Sequence, residues 1–150
     1  MSQSLVKNTV HLVFSTKGRA PLIRPDIESE LHAYLFGTCK NLECPPIRVD
    51  GDSDHVHILC ALSKKLALMK LLELLKSHSS KWIKSKGESY QHFYWQDGYA
   101  AFSVSPRDVD KVAAYIDNQK DHHRHTNFQD ELRGLLVKHG LDYDERYLWD

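Results

Sequence analysis

Two β-type runs, Ile47–Asp50 and His55–Leu62, flank the turn signal Asp50-Gly51-Asp52, and a helical pattern lies on each side of this hairpin. The first helix opens at Pro25, runs through Ile27, Leu31, Tyr34 and Leu35, and is closed off by Pro45-Pro46. The second, Leu66–Lys84, is the clearest in the chain. Leu68, Leu72, Leu75 and Trp82 share one face, and Lys70, Lys81 and Lys84 share the opposite one. Outside this unit, Val6–Ser15 reads as a strand and Gly18–Pro25 as a loop, while Phe93–Trp95 and Tyr99–Val104 read as strands joined through Asp97-Gly98. The order β-α-β-β-α-β predicts a ferredoxin-like (RRM-like) α+β sandwich, an antiparallel sheet with helices on one face and the other face open to a ligand or partner. C-terminal helices follow. Ser105-Pro106-Arg107-Asp108 starts one that runs through Val109, Val112, Ala113 and Ile116, and a short helix, Glu131–Lys138, ends at Gly140.

The 150 residues, 1–150, match one domain without repeats or linkers, and 41% hydrophobic content is enough for a core. No apolar run approaches the roughly 20 residues of a membrane span. Val10–Phe14 is too short for a signal peptide and is interrupted by His11. Cys39, Cys44 and Cys60 are odd in number and lack C-x-x-C spacing, which argues against a disulfide framework or a structural zinc knuckle and for a reducing cytoplasm. Twenty basic residues balance twenty acidic ones, so no whole-surface attraction to nucleic acid is expected. The charge is uneven, however: seven lysines face Glu73 alone between Ser63 and Lys86. Such a face can bind phosphates in a neutral protein, although a solvated helix face explains it equally.

Three features could carry chemistry. Along Asp54-His55-Val56-His57-Ile58-Leu59-Cys60, strand alternation puts His55 and His57 on one face, their Cα atoms roughly 6.8 Å apart. Two imidazoles so placed can hold one metal ion, and two histidines on an open sheet face also fit ordinary surface residues. Tyr115, Gln119 and His122 stack on a face beside the apolar stripe of their helix. The tyrosine is a candidate nucleophile or a half-packed boundary residue. Asp121-His122-His123-Arg124-His125 could meet metal or phosphate, or form a solvated helix end.

Taken together and in order, the blocks of this chain resemble a known family. They are Val10-His11-Leu12-Val13-Phe14-Ser15-Thr16-Lys17, Asp54-His55-Val56-His57-Ile58-Leu59, Leu75-Lys76-Ser77 through Ser80-Lys81-Trp82-Ile83, and Trp95-Gln96-Asp97-Gly98-Tyr99. Tyr115-Ile116-Asp117-Asn118-Gln119 with His122-His123 follows, and then the tail Tyr143-Asp144-Glu145-Arg146-Tyr147-Leu148-Trp149. The set resembles the small single-tyrosine HUH transposases of insertion sequences (the IS200-like family) and the repeat-associated proteins derived from them.

The resemblance implies that His55 and His57 are the metal pair, Tyr115 the nucleophile and Gln119 the third ligand. It implies a divalent metal, Mg²⁺ or Mn²⁺, and cleavage and rejoining of single-stranded DNA with hairpin ends through a 5′-phosphotyrosine. It further implies a homodimer with active sites shared between subunits, working in a bacterial or archaeal cytoplasm without a membrane. Lys70, Lys81, Lys84 and His122 are the expected DNA contacts, and Trp82, Tyr94, Trp95 and Tyr99 could stack bases. The alternatives are a domesticated repeat-associated tyrosine nuclease of the host and a non-catalytic nucleic-acid-binding module.

Overall fold

The computed structural model describes residues 2–150. Four strands, β1 (Thr9–Ser15), β2 (Pro46–Asp52), β3 (His55–Ala61) and β4 (Ala100–Ser103), form one antiparallel sheet in the order β2-β3-β1-β4. That is the ferredoxin-like order expected from the sequence. Two helices, α1 (Pro25–Asn41) and α2 (Leu68–Lys84), cover one face. Val10, Leu12 and Phe14 of β1 and Val56, Ile58 and Cys60 of β3 point into this layer, against Leu31 and Leu35 of α1 and Leu71, Leu72 and Leu75 of α2. Leu68 and Trp82 sit at its margin and Ile83 is fully buried, so the apolar stripe of α2 is rotated slightly from the one read in the sequence.

The second face is not open. It is covered by α3 (Val109–Asp117), the single turn α4 (Gln119–His122) and α5 (Phe128–Lys138). Leu59 packs on Ala113 and Ile116 of α3, and Val13 and Phe102 pack on Phe128, Leu132 and Leu136 of α5. Every residue of β1 is therefore buried. Covering both faces explains how His11, Ser15, His55 and His57 come to be shielded from water between a sheet and a helical layer.

Three further expectations need correction. The hairpin turn is Ser53-Asp54, because Asp52 pairs with His55, and Gly51 lies inside β2 opposite Val56. A Cβ on Gly51 would lie 2.2 Å from His55 O and 2.9 Å from Val56 Cα, so only glycine allows this approach. Phe93–Trp95 is not a strand: only Trp95 bridges to β1's neighbour Thr16. The carbonyls of Gln96, Asp97 and Gly98 are taken by Lys76 Nζ at 2.9, 3.0 and 2.6 Å instead of by a ladder partner. Trp95 Nε1 donates to the buried Ser79 Oγ at 2.9 Å. The α5 helix starts at Phe128, three residues before the expected start, because the Asn127 side chain caps it by accepting from Asp130 N at 2.8 Å.

Candidate active site

β3 presents His55 and His57, both fully buried, to the layer formed by α3, α4 and α5. Each ring is oriented through its Nδ1. Asp54 Oδ1 lies 2.8 Å from His55 Nδ1, and His11 Nε2 lies 2.8 Å from His57 Nδ1. Orientation by a carboxylate or a second ring leaves Nε2 of each imidazole facing a common point. Phe128 stacks on the His55 ring at 4.1 Å and fixes its plane.

At that common point stands Glu131, whose side chain is 1% exposed. Its Oε1 lies 3.2 Å from His57 Nε2, 3.4 Å from His55 Nε2 and 3.1 Å from His123 Nε2. Its Oε2 accepts from Gln119 Nε2 at 2.9 Å and from the hydroxyl of Tyr115. The Gln119 Oε1 in turn lies 3.0 Å from His55 Nε2 and 3.0 Å from His123 Nε2. A buried carboxylate is costly unless it is fully hydrogen-bonded, and here both oxygens are.

The electrostatics follow from this network. Burial alone would raise the Glu131 carboxyl, but hydrogen bonds from His123, His55 and His57 outweigh it and hold the group well below the usual carboxylate range. For His55, burial pulls downward, yet the hydrogen bonds to Asp54 and Glu131 win and push it up to about 9. Burial lowers His57, and it lowers His11, with help from the His57 charge, to about 3. His11 is thus a neutral ring that can only support its neighbour. Burial first, and then the Glu131 charge and hydrogen bond, raise the Tyr115 phenol.

The structure brings together Tyr115, His55, His57 and Gln119, the four residues for which the resemblance implied a nucleophile or metal role. Tyr115 and Gln119 do not lie on one continuous helix, because the backbone breaks at Asn118 between α3 and α4. His122 is half-buried, its Nε2 3.4 Å from Glu131 Oε2, whereas the adjacent His123 is the ring that makes hydrogen bonds in the cluster. A family model described as "Transposase IS200 like" matches residues 4–119, which include the histidine pair, the tyrosine and Gln119.

The chain belongs to the IS200-like transposase family. It is accordingly a DNA-processing enzyme of the transposase type. A structure described as a candidate transposase from Deinococcus radiodurans R1 superposes with a TM-score of 0.61 at 20% identity, over 79% of this chain and 96% of that one. A REP-associated tyrosine transposase bound to a REP hairpin superposes with a TM-score of 0.60 at 12% identity, over 82% of this chain and 74% of the other. At such identities the likeness is one of fold. The comparison with curated proteins returned no match.

The lysines lie elsewhere in this IS200-like transposase. Lys70, Lys81 and Lys84 are on α2, across the sheet from the histidine cluster; Lys70 pairs with Glu73 at 3.2 Å and Lys84 Nζ sits 4.1 Å over the Tyr94 ring. Trp82 stacks on Tyr34 at 4.8 Å and Trp95 is buried, so neither ring is free to take a base. Tyr94 and Tyr99 are exposed. Glu131, His11 and Asp54 are site residues without a role in the sequence reading, and His123 stood there only as one of the Asp121–His125 cluster. The available signal was Glu131 itself, a charge on the Phe128, Leu132, Leu136 stripe, which is visible only once the helix is started at Phe128.

Proposed function

We propose that this transposase cleaves and rejoins single-stranded DNA by metal-assisted transesterification, with Tyr115 as the nucleophile and a 5′-phosphotyrosine as the covalent intermediate. The observation that carries this reading is the convergence of the Tyr115 hydroxyl, the Gln119 amide and both histidine Nε2 atoms on the two oxygens of Glu131.

The donor set fits a divalent cation. His55, His57 and Glu131 each offer a ligand atom, all within 4.8 Å of one another, and Gln119 Oε1 is a neutral fourth donor. When bound, Mg²⁺ or Mn²⁺ supplies positive charge that polarises a phosphate oxygen. Two imidazoles favour Mn²⁺ on ligand softness, and oxygen donors suit both ions.

The chain's own residues do the rest. Asp54 and His11 fix the two rings, and the helical layer excludes water from them. The Tyr115 oxygen forms a bond to phosphorus while the bond from phosphorus to the 3′-oxygen breaks. The hydrogen bond to Glu131 Oε2 holds the phenol oxygen in place; the phenol proton is lost to solvent as the bond forms, and the released 3′-oxygen takes a proton from solvent. One phosphoester replaces another, so a 3′-hydroxyl can reverse the step without ATP.

Hairpin-ended single-stranded DNA is the substrate that this reading implies; the hairpin carried by the REP-associated relative supports it. Lys70, Lys81, Lys84 and His122 are proposed DNA contacts, the lysines as a phosphate track remote from the cut. The 150 residues act as one unit, in the cytoplasm where the DNA lies; no described helix is long and apolar enough to cross a membrane. A homodimer is compatible with this reading, but one chain carries every group named above and needs no exchanged helix to complete the site.

Incubation with hairpin-bearing single-stranded oligonucleotides and Mn²⁺ should yield a protein–DNA adduct that survives denaturing electrophoresis and disappears in Tyr115→Phe. An adduct with the Phe variant would refute the assignment. Full hairpin binding without any adduct would favour the non-catalytic binding module.

A further inference from the structure

A cavity of about 440 Å³ opens beside Tyr115, between β4, α3 and the C-terminal end of α5. It lies on the far side of the tyrosine from the metal pair: β1 separates β3, which carries His55 and His57, from the edge strand β4. His11 and Tyr115 form its inner wall, so it is continuous with the reaction centre. Phe102, Val112 and Leu135 line it with apolar surface, and His139 stacks on Phe102 at 4.3 Å to give a flat aromatic edge. At the rim, Lys111 and Lys138 outnumber Asp108, and among the described residues neither lysine forms an ion pair. An apolar, partly aromatic slot with an uncompensated basic rim matches a nucleobase joined to phosphates.

We propose that this cavity is the subsite for the nucleotide on the 3′ side of the scissile phosphate, the one that stays attached to Tyr115. The inference rests on the strand-cleavage reading above. In a displacement at phosphorus the attacking and leaving oxygens are roughly in line. The leaving 3′-oxygen therefore departs from the side opposite the phenol, taking its nucleotide away from Tyr115. The nucleotide that keeps the phosphate is bonded through its 5′-oxygen, which lies beside the reaction axis, so of the two nucleotides it is the one that stays within reach of the tyrosine and its cavity. Stacking on Phe102 and His139 tolerates any base, so the subsite positions the strand without setting its sequence.

The test uses the full chain and an oligothymidylate carrying one 5-iodo-2′-deoxyuridine, in chelator, with ultraviolet crosslinking and peptide mapping. Crosslinks to the peptides holding Phe102 or His139 are expected. Leu135→Trp, at a half-buried α5 side chain that lines the cavity, should cut their yield about tenfold with an unchanged melting temperature. Lys111→Ala with Lys138→Ala should weaken binding and reduce its salt slope by roughly 1.4, about 0.7 for each single-strand phosphate contact. No crosslink to these peptides, or yields unmoved by Leu135→Trp, would overturn the subsite. On an oligonucleotide that forms the Tyr115 adduct, the label should crosslink from the first nucleotide 3′ of the cut and not from the first nucleotide 5′ of it; the reverse result would overturn the assigned side. The two readings fail separately. Crosslinks without any adduct refute cleavage and reduce the cavity to a binding site, whereas an adduct without crosslinks refutes the subsite alone.

Discussion

The Tyr115 hydroxyl donates its proton to Glu131 Oε2, on a helix that begins after the histidine-rich turn, while the other oxygen of the same carboxylate faces His55 and His57. A single side chain thereby spans the distance between the proposed nucleophile and the proposed metal pair. Glu131→Gln keeps the shape but removes the charge and turns one acceptor into a donor. It is expected to lower Mn²⁺ affinity about 10–100-fold and to slow adduct formation about 100-fold or more. Isothermal titration and single-turnover gels measure the two. If both stay at the wild-type level, Glu131 has no part in the chemistry.

Metal binding should depend on pH in a stated direction. His55 is pushed up to about 9 in the metal-free fold. A raised value stabilises the metal-free protein fully below the ordinary histidine pKa of about 6.5, and that stabilisation is lost as pH rises through 9. A cation needs Nε2 without its proton, so Mn²⁺ affinity should climb steadily with pH below about 9 and level off there. A flat profile across that window would show that His55 is not a ligand.

Gly51→Ala should damage the site without touching it. The added Cβ would meet backbone atoms of His55 and Val56, which cannot withdraw without shifting the strand that carries the metal pair. A loss of about 2–4 kcal/mol in urea unfolding is expected, with loss of cleavage. Gly37→Ala is the control: it lies inside α1 with nothing within 4 Å of a Cβ, and should add about 0.5–1 kcal/mol of stability. Equal effects at the two positions would contradict the close approach at Gly51.

The lysine face of α2 makes its own prediction. Alanine at Lys70, Lys81 and Lys84 should reduce the salt slope of hairpin binding by about 0.9 per lost duplex phosphate contact. The rate of adduct formation from bound DNA should not change, because the sheet separates α2 from Tyr115. Unaltered affinity and slope would leave these lysines as a solvated surface.

Co-expression of His57→Ala with Tyr115→Phe tests how the site is assembled. Each variant alone should be inactive. With every group supplied by one chain, each site in a mixed assembly keeps one defect and the mixture stays inactive, which is the expected result. Recovery of activity, with heterodimers shown to be present, would mean that subunits exchange the Tyr115 helix.

The strand order was legible because strand and helix periodicities are local. Val6–Ser15 and His55–Leu62 read as strands from their own composition, and α2 announces itself by its leucines. The covered second face was not, because α3 and α5 are ordinary amphipathic helices whose packing partner is a long-range choice. Tyr115, His55, His57 and Gln119 could be named from a family pattern in the sequence. Glu131 could not, since a first-turn acid and a buried ligand look alike until the Asn127 cap fixes where the helix begins. Phe93–Trp95 had the composition of a strand, and Lys76 captured the carbonyls that follow it.

The break at Asn118 and the placement of Glu131 on the last helix have a consequence for the order in which the protein is made. Domains gain structure from the N-terminus during synthesis, and the sheet strands through β4 emerge before α5 does. A growing chain that already displays β1, β3 and α3 therefore holds its histidines and tyrosine without the carboxylate that joins them. Under the cleavage reading, a nascent copy that stops short of Glu131 is therefore not yet able to cut the exposed DNA beside it.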